Sequence, residues 1–183
     1  FVTELANDSD TLDGQHATEI IDAANSEART EIDSVPFPIT QSGSYFLSQN
    51  LTFSGTGIAI SVDADDVTID LNGFTLSGND TSAGYGVQIL NARSRVTVKN
   101  GGIKDFDYAV YASVNTSTDI ELQKLRIHSC VGDGIRLYST KSIISDCQCS
   151  DNGGNGVSIS YYSKVINTIS HGNTYSGIST SQD

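Results

Sequence analysis

Few side chains in this 183-residue sequence are of types that perform chemistry, and they fall into separate groups. Asp63, Asp65, Asp66 and Asp70 form the only dense acidic group. On a strand Asp66 and Asp70 share a face, and carboxylate oxygens so gathered suit a calcium ion; the run from Asp63 to Asp66 reads first as a solvated corner between two strands, and no metal is expected there. Arg126, His128, Asp133 and Arg136 bring an imidazole, a carboxylate and two guanidinium groups into eleven residues. That set suits acid–base attack on a glycosidic bond or the grip of a charged sugar. A hydrolase needs a second carboxylate near the first, and none stands in register with Asp133, whose Gly132-Asp133-Gly134 setting also reads as a turn.

Cys130, Cys147 and Cys149 are odd in number and cannot form a closed disulfide framework. Cys147 and Cys149, two apart on a strand, face the same way and do not bridge each other. A step of 22 stacks them on Leu125 and Ile127, so they read as small buried hydrophobes. Joined to Cys130 and to His128 or His171 they lack the spacing of a strong metal site, and no cofactor is implied. Arg93, Arg95, Lys99, Lys104, Lys124, Arg126, Arg136 and Lys141 recur along the chain. Interleaved with Tyr111 and Tyr138, they could form a stripe for an acidic polysaccharide, or serve as scattered charges that guard strand edges. Asn7, Asn50, Asn79 and Asn115 each open an Asn-X-Ser/Thr acceptor pattern for glycosylation.

The elements that must position these groups are repetitive. A glycine or alanine followed by alternating apolar residues returns as Gly57-Ile58-Ala59-Ile60, Gly86-Val87-Gln88-Ile89, Ala109-Val110-Tyr111-Ala112, Gly134-Ile135-Arg136-Leu137, Gly156-Val157-Ser158-Ile159 and Gly177-Ile178-Ser179-Thr180. The first apolar residues follow one another at 29, 23, 25, 22 and 21 residues. A period in the twenties marks a solenoid. Between them Val67, Ile69, Leu71, Phe74 and Leu76, then Val96, Val98 and Ile103, then Ile120, Leu122, Leu125 and Ile127 alternate as inward residues of short strands. The later coils are expected to turn Ile143, Cys147 and Cys149, then Val165, Ile169 and His171, toward the core. The glycine-rich intervals leave no room for a helix in each repeat.

Ahead of the repeats the period differs. Ala17, Ile20, Ile21, Ala24, Ala28 and Ile32 recur at three and four, which predicts a helix from Asp13 to about Ser34, stopped by Pro36. Residues 1–35 are thus expected to be an extension with one helix, and residues 36–183 the repeat domain. The net charge of −12 is uneven: residues 1–90 carry 14 acids against Arg29 alone, residues 91–183 carry 8 acids and 9 bases. So acidic a chain is a poor partner for nucleic acid. No apolar run reaches the roughly 18 residues of a membrane span. A start at Phe1 and the lack of methionine point to a processed or trimmed product.

The Gly-Ile-x-Ile strands, the coil Val67-Thr68-Ile69-Asp70-Leu71-Asn72-Gly73-Phe74-Thr75-Leu76 and the coil Cys149-Ser150-Asp151-Asn152-Gly153-Gly154-Asn155-Gly156 resemble the right-handed parallel β-helix of the pectate-lyase-like superfamily. The segment from Pro38-Ile39-Thr40 to Gly43-Ser44-Tyr45-Phe46-Leu47 is similar to the opening of secreted bacterial members, and Thr11-Leu12-Asp13-Gly14 to a short linker of phage tail fibres. The resemblance covers residues 36–180. It implies an all-β, right-handed parallel β-helix of about six coils, here preceded by the one N-terminal helix. It implies no single activity, because this superfold carries lyases, hydrolases, epimerases, tailspikes and adhesins.

The expected role is structural rather than enzymatic: a subunit of an extracellular or cell-surface filament. Copies of the chain would join head to tail, with Phe1, Val2 and Leu5 of the extension meeting the open final strand that carries Ile178. The alternative is a polysaccharide-binding or polysaccharide-cleaving module, lyase-like or tailspike-like, in which Arg126, His128, Asp133 and Arg136 act.

Overall fold

The computed structural model describes residues 29–79, 84–112, 117–160 and 162–180. Eighteen strands wind through them, and every strand pairing is parallel. After β1 (Thr30–Ile32), the first rung is β2 (Phe37–Ile39), β3 (Gly43–Leu47) and β4 (Leu51–Thr52). The second is β5 (Ile58–Val62), β6 (Val67–Asp70) and β7 (Thr75–Ser77). The third and fourth each merge two strands into one long one: β8 (Tyr85–Ile89) with β9 (Ser94–Lys104), and β10 (Tyr108–Ala112) with β11 (Thr118–His128). The fifth is β12 (Ile135–Leu137), β13 (Ile143–Ser145) and β14 (Gln148–Ser150); the sixth is β15 (Val157–Ile159), β16 (Lys164–Ile166) and β17 (Ile169–His171), with β18 (Ile178–Thr180) after it.

Stacking the rungs makes three faces. The first is the seven-stranded sheet β2-β5-β8-β10-β12-β15-β18. The eleven-stranded sheet bends into two arms, β1-β3-β6-β9-β11-β13-β16 as the second face and β4-β7-β9-β11-β14-β17 as the third. The bend is a column of residues in the left-handed region, Asn72, Asn100, Lys124, Asp146 and Asn167, with φ between 46° and 60°. Asn and Asp tolerate that conformation; Lys124 occupies it at a steric cost.

One core fills the tube. Ile69, Val98, Leu122 and Ile144 stack through four rungs, as do Leu76, Ile103, Ile127 and Cys149, and all eight are buried. Each such isoleucine or leucine contributes about 1.5–3 kcal/mol by leaving water. Later rungs turn polar inside: the Cys130 N–H donates to Asn152 Oδ1 at 3.0 Å, Asn152 Nδ2 to Asn173 Oδ1 at 2.9 Å, and Asn173 Nδ2 to the Cys149 carbonyl at 3.2 Å. This ladder ties successive corners where no apolar residue does so.

The solenoid of about six turns is thus observed, but the N-terminal helix is not. No helix occurs among the described residues. At the end of the predicted helical stripe, Thr30–Ile32 is instead a strand in register with Tyr45–Leu47. The edge of β3 offers unpaired backbone groups and an apolar end, so an extended segment gains a hydrogen-bond ladder and buries Ile32 completely. Residues 13–28 lie outside the described residues.

Register also departs from the pattern. Ile60, not Ile58, stands beneath Val87, so the first step is 27 residues rather than 29. Ile144 points inward while Ile143 is exposed, and Ser170 rather than Ile169 or His171 continues the Cys149 row. In adjacent apolar pairs a slip of one residue exchanges core for solvent.

Candidate functional site

Among the described residues, charged residues singled out in the sequence converge on the third face without being consumed by the fold. In β11 Leu125 and Ile127 enter the core, so the strand period sends Arg126 and His128 outward together. The ladder then sets their neighbours. Gly102 below and Gln148 above stand in register with Arg126; Lys104 below and Ser150 above stand in register with His128; His171 follows Ser150 on β17. Gly102 has no side chain to raise beside Arg126, and a Cβ there would come within 2.8 Å of Thr75 Oγ1. The result is an open groove of about 200 Å³ lined by Arg126, Ile127, His128, Gln148 and Ser150.

Its polar groups remain usable. His128 Nδ1 lies 3.0 Å from Ser129 Oγ, and Gln148 Nε2 lies 3.4 Å from His171 Nε2. Lys104 is paired with Asp105 at 2.5 Å. Arg126 is exposed and makes no ion pair among the described residues. A guanidinium with five fixed donors beside an imidazole, an amide and a hydroxyl suits a carboxylate or another oxyanion.

Asp133 and Arg136 are elsewhere, on the first face. Asp133 is 1% exposed and accepts four hydrogen bonds. Its Oδ1 takes the Asn155 N–H at 2.7 Å and Asn155 Nδ2 at 3.2 Å; its Oδ2 takes Arg136 Nε and Ser158 Oγ, each at 2.8 Å. Burial pushes the Asp133 carboxyl up, but the Asn155 backbone N–H, Arg136 and Ser158 outweigh it and hold it below its ordinary value. Arg136 is fixed in turn, donating to Tyr108 Oη at 3.0 Å and lying 4.7 Å over the Tyr108 ring. Tyr85 stacks on Tyr108 at 5.8 Å and Tyr111 packs 4.7 Å from Tyr85, a ladder that spans two rungs. The four residues grouped in the sequence are therefore two pairs on two sheets: Asp133 and Arg136 hold rungs together, Arg126 and His128 face a groove.

The acidic group is consumed by arginines from the next rung. Asp63 accepts Asn91 Nδ2 at 2.7 Å and Arg93 at 2.8 and 3.0 Å; Asp66 forms a two-point pair with Arg95 at 2.5 and 2.8 Å. Both carboxyls are lowered, Asp63 chiefly by the Asn91 hydrogen bond and then by Arg93, Asp66 by Arg95. Asp65 accepts the Ser94 N–H at 2.8 Å, and Asp70 the Asn72 N–H at 2.9 Å with Arg29 at 3.4 Å. Among the described residues no group of three or more His, Cys, Asp or Glu could hold a metal ion. The eight bases form no single stripe, since Arg93 and Arg95 sit at the acidic corner, Arg136 on the first face, and Lys104 and Arg126 on the third.

Cys130, Cys147 and Cys149 are free and buried, with their thiols pushed up by burial, Cys130 to about 12. His128 and His171 lie on the opposite side of the strands from them. Asn50 and Asn79 spend their amides between rungs, Asn50 Oδ1 accepting the Thr75 N–H and Asn79 Nδ2 donating to the Ser54 carbonyl. Asn7, Asn115, Phe1, Val2 and Leu5 lie outside the described residues.

The signal for the groove was present as Arg126-Ile127-His128, an outward–inward–outward triplet. Lys104 was singled out only as one of eight recurring bases, and Gln148 and Ser150 carried no signal, because the ladder's register is what brings all three beside it. A family model described as right handed beta helix region matches residues 39–183. No curated protein and no solved structure matches the chain.

Proposed function

We propose, from the premise that the chain belongs to the right-handed β-helix family, that it is a polysaccharide-binding module whose third face holds an acidic polysaccharide along the solenoid axis. The observation that carries this reading is Arg126: an outward guanidinium without a carboxylate partner among the described residues, in a groove that His128, Gln148 and Ser150 line with hydrogen-bonding groups beside Ile127. Lys104, Arg126, His128, Gln148, Ser150 and His171 follow one another over four rungs, about 14 Å at the spacing of stacked strands. An extended sugar chain lying along them meets a polar or charged group at every step. Binding is favoured over cleavage because Asp133, the carboxylate a hydrolytic set would draw on, is locked on another sheet. The expected location remains extracellular or at the cell surface.

The test is calorimetric titration with polygalacturonate. Arg126→Gln is expected to weaken binding about tenfold, the scale of one charge-assisted hydrogen bond, with unchanged unfolding. Equal affinity in the variant would overturn the reading.

A second reading, head-to-tail assembly of copies into a filament, draws on the last described rung. Ile178 is 46% exposed although its partner one rung below, Val157, is buried, and Val165 is half-buried above buried Ile144. Light scattering decides it: mass that rises with concentration and is returned to monomer by Ile178→Asp supports assembly, and a constant monomer mass removes it.

A further inference from the structure

We infer that Tyr85 and Tyr111 on the first face are a site of oxidative cross-linking, where a one-electron oxidant, a peroxidase with hydrogen peroxide, joins them by a carbon–carbon bond between rungs. This is independent of the polysaccharide-binding reading. The local fold brings the rings together. In β10 Ala109 and Val110 are both buried, so Tyr108 and Tyr111 emerge on the same outer face although three residues apart. Tyr108 stands in register with Tyr85, and Tyr111 with Gln88. Gly86 lets the two rungs approach here, since a Cβ on it would come within 2.6 Å of the Ala109 carbonyl. Tyr111 reaches diagonally to Tyr85, with ring centres 4.7 Å apart and planes inclined by 34°. Tyr108 closes the cluster, 5.8 Å from Tyr85 and 5.2 Å from Tyr111.

In the reaction each phenol yields one electron and its hydroxyl proton, leaving two phenoxyl radicals whose unpaired spin reaches the carbons ortho to oxygen. One such carbon on each ring pairs its electron with the other in a single bond. The ring hydrogens those carbons carried then move to the oxygens and restore both phenols. Two hydrogens leave in all, and one hydrogen peroxide takes them up to become two waters. Rings already in contact need to turn, not to travel. Arg136 decides which pair reacts. Its guanidinium lies 4.7 Å over the Tyr108 ring and donates to Tyr108 Oη at 3.0 Å. A cation held on a ring face opposes removal of an electron from that ring. Burial also pushes the Tyr108 phenol up, against loss of its proton. Tyr85 and Tyr111 are left as the couple. Their bond ties β8 to β10 and closes a loop between residues 85 and 111, which takes freedom from the unfolded chain.

Treatment of dilute protein with peroxidase and hydrogen peroxide tests this, read by dityrosine fluorescence and by mass spectrometry of the intact chain and its peptides. The expected product is a monomer lighter by two hydrogens, with a cross-linked peptide pair carrying Tyr85 and Tyr111 and a higher urea midpoint than untreated protein. Tyr111→Phe keeps the ring and should abolish the monomer's fluorescence, whereas Tyr108→Phe should retain it. The competing outcome is coupling ruled by exposure alone. Tyr162 and Tyr175 are the most exposed tyrosines among the described residues, at 85% and 76%, and would join separate molecules. The double variant Tyr162→Phe with Tyr175→Phe should therefore lose any covalent dimer and keep the internal bond. Fluorescence that persists in the Tyr111→Phe monomer, or cross-links found only between molecules, overturns the site. An unchanged urea midpoint in the cross-linked monomer overturns its stapling of the rungs.

Discussion

Arg136 and Arg126 are the same residue type, both outward on strands of neighbouring rungs, yet they do opposite work. Arg136 is drawn to the buried carboxylate of Asp133 and covers a tyrosine ring, so its charge is spent inside the protein. Arg126 has Gly102 and Gln148 in register where Arg136 has a carboxylate close by. The difference teaches that on a solenoid surface a side chain's role is set by what stands beside it, whether its own corner supplies that group, as for Arg136, or the ladder does, as for Arg126. A carboxylate makes an arginine part of the scaffold, and its absence leaves the charge for a ligand.

The largest effect expected from breaking this contrast lies on the scaffold side. Asp133→Ala strips four donors of their acceptor and leaves Arg136 uncompensated, which should cost ~3–5 kcal/mol. Urea unfolding would show it, while the folded fraction should bind polygalacturonate as wild type does. The same carboxylate sets an acid limit. Its pKa is lowered in the folded state, so its contribution is complete above the unfolded value of about 3.9 and is lost as pH falls through the lower folded value. Unfolding midpoints between pH 5 and pH 2 should fall less steeply in Asp133→Ala, with Asp63 and Asp66 accounting for part of the remaining slope.

On the groove side Gln148→Glu makes Arg126 resemble Arg136 by placing a carboxylate one rung away in register. Polyanion affinity should drop about tenfold, with stability changed by less than ~1 kcal/mol, as for an exposed ion pair. Unaltered affinity would mean that the freedom of Arg126 is not what the ligand uses. The smallest effect separates local charge from net charge. Lys124→Gly removes a cation from the corner and relieves a φ of 50°, so it should stabilise the fold by about 1 kcal/mol and leave binding unchanged.

Legibility followed the strength of local patterns. The repeats from Gly57 to Ile178 announced the solenoid because a glycine or alanine followed by period-two apolar residues recurs in successive rungs. Cys147 and Cys149 were legible as core because a step of 22 set them on Leu125 and Ile127. Paired apolar residues were not: Ile143 and Ile144, or Ile58 and Ile60, satisfy a strand pattern in either register, and only stacking on Leu122 or beneath Val87 chooses. The helical spacing did not hold at its described end, where Thr30–Ile32 pairs with the exposed edge of the first rung, a tertiary demand that no local periodicity records.

By itself, the sequence determined that the chain is a β-solenoid of about six turns, because repetition and alternation are local properties that each rung states again. The tertiary structure alone decided which charges are free. Asp63 and Arg93 are 30 residues apart, Arg126 and Gln148 are 22 apart, and Asp133 and Arg136 are near neighbours. A rung's variable length hides which of these meet until the strands are stacked, and whether an arginine meets a carboxylate or an amide there separates scaffold from site.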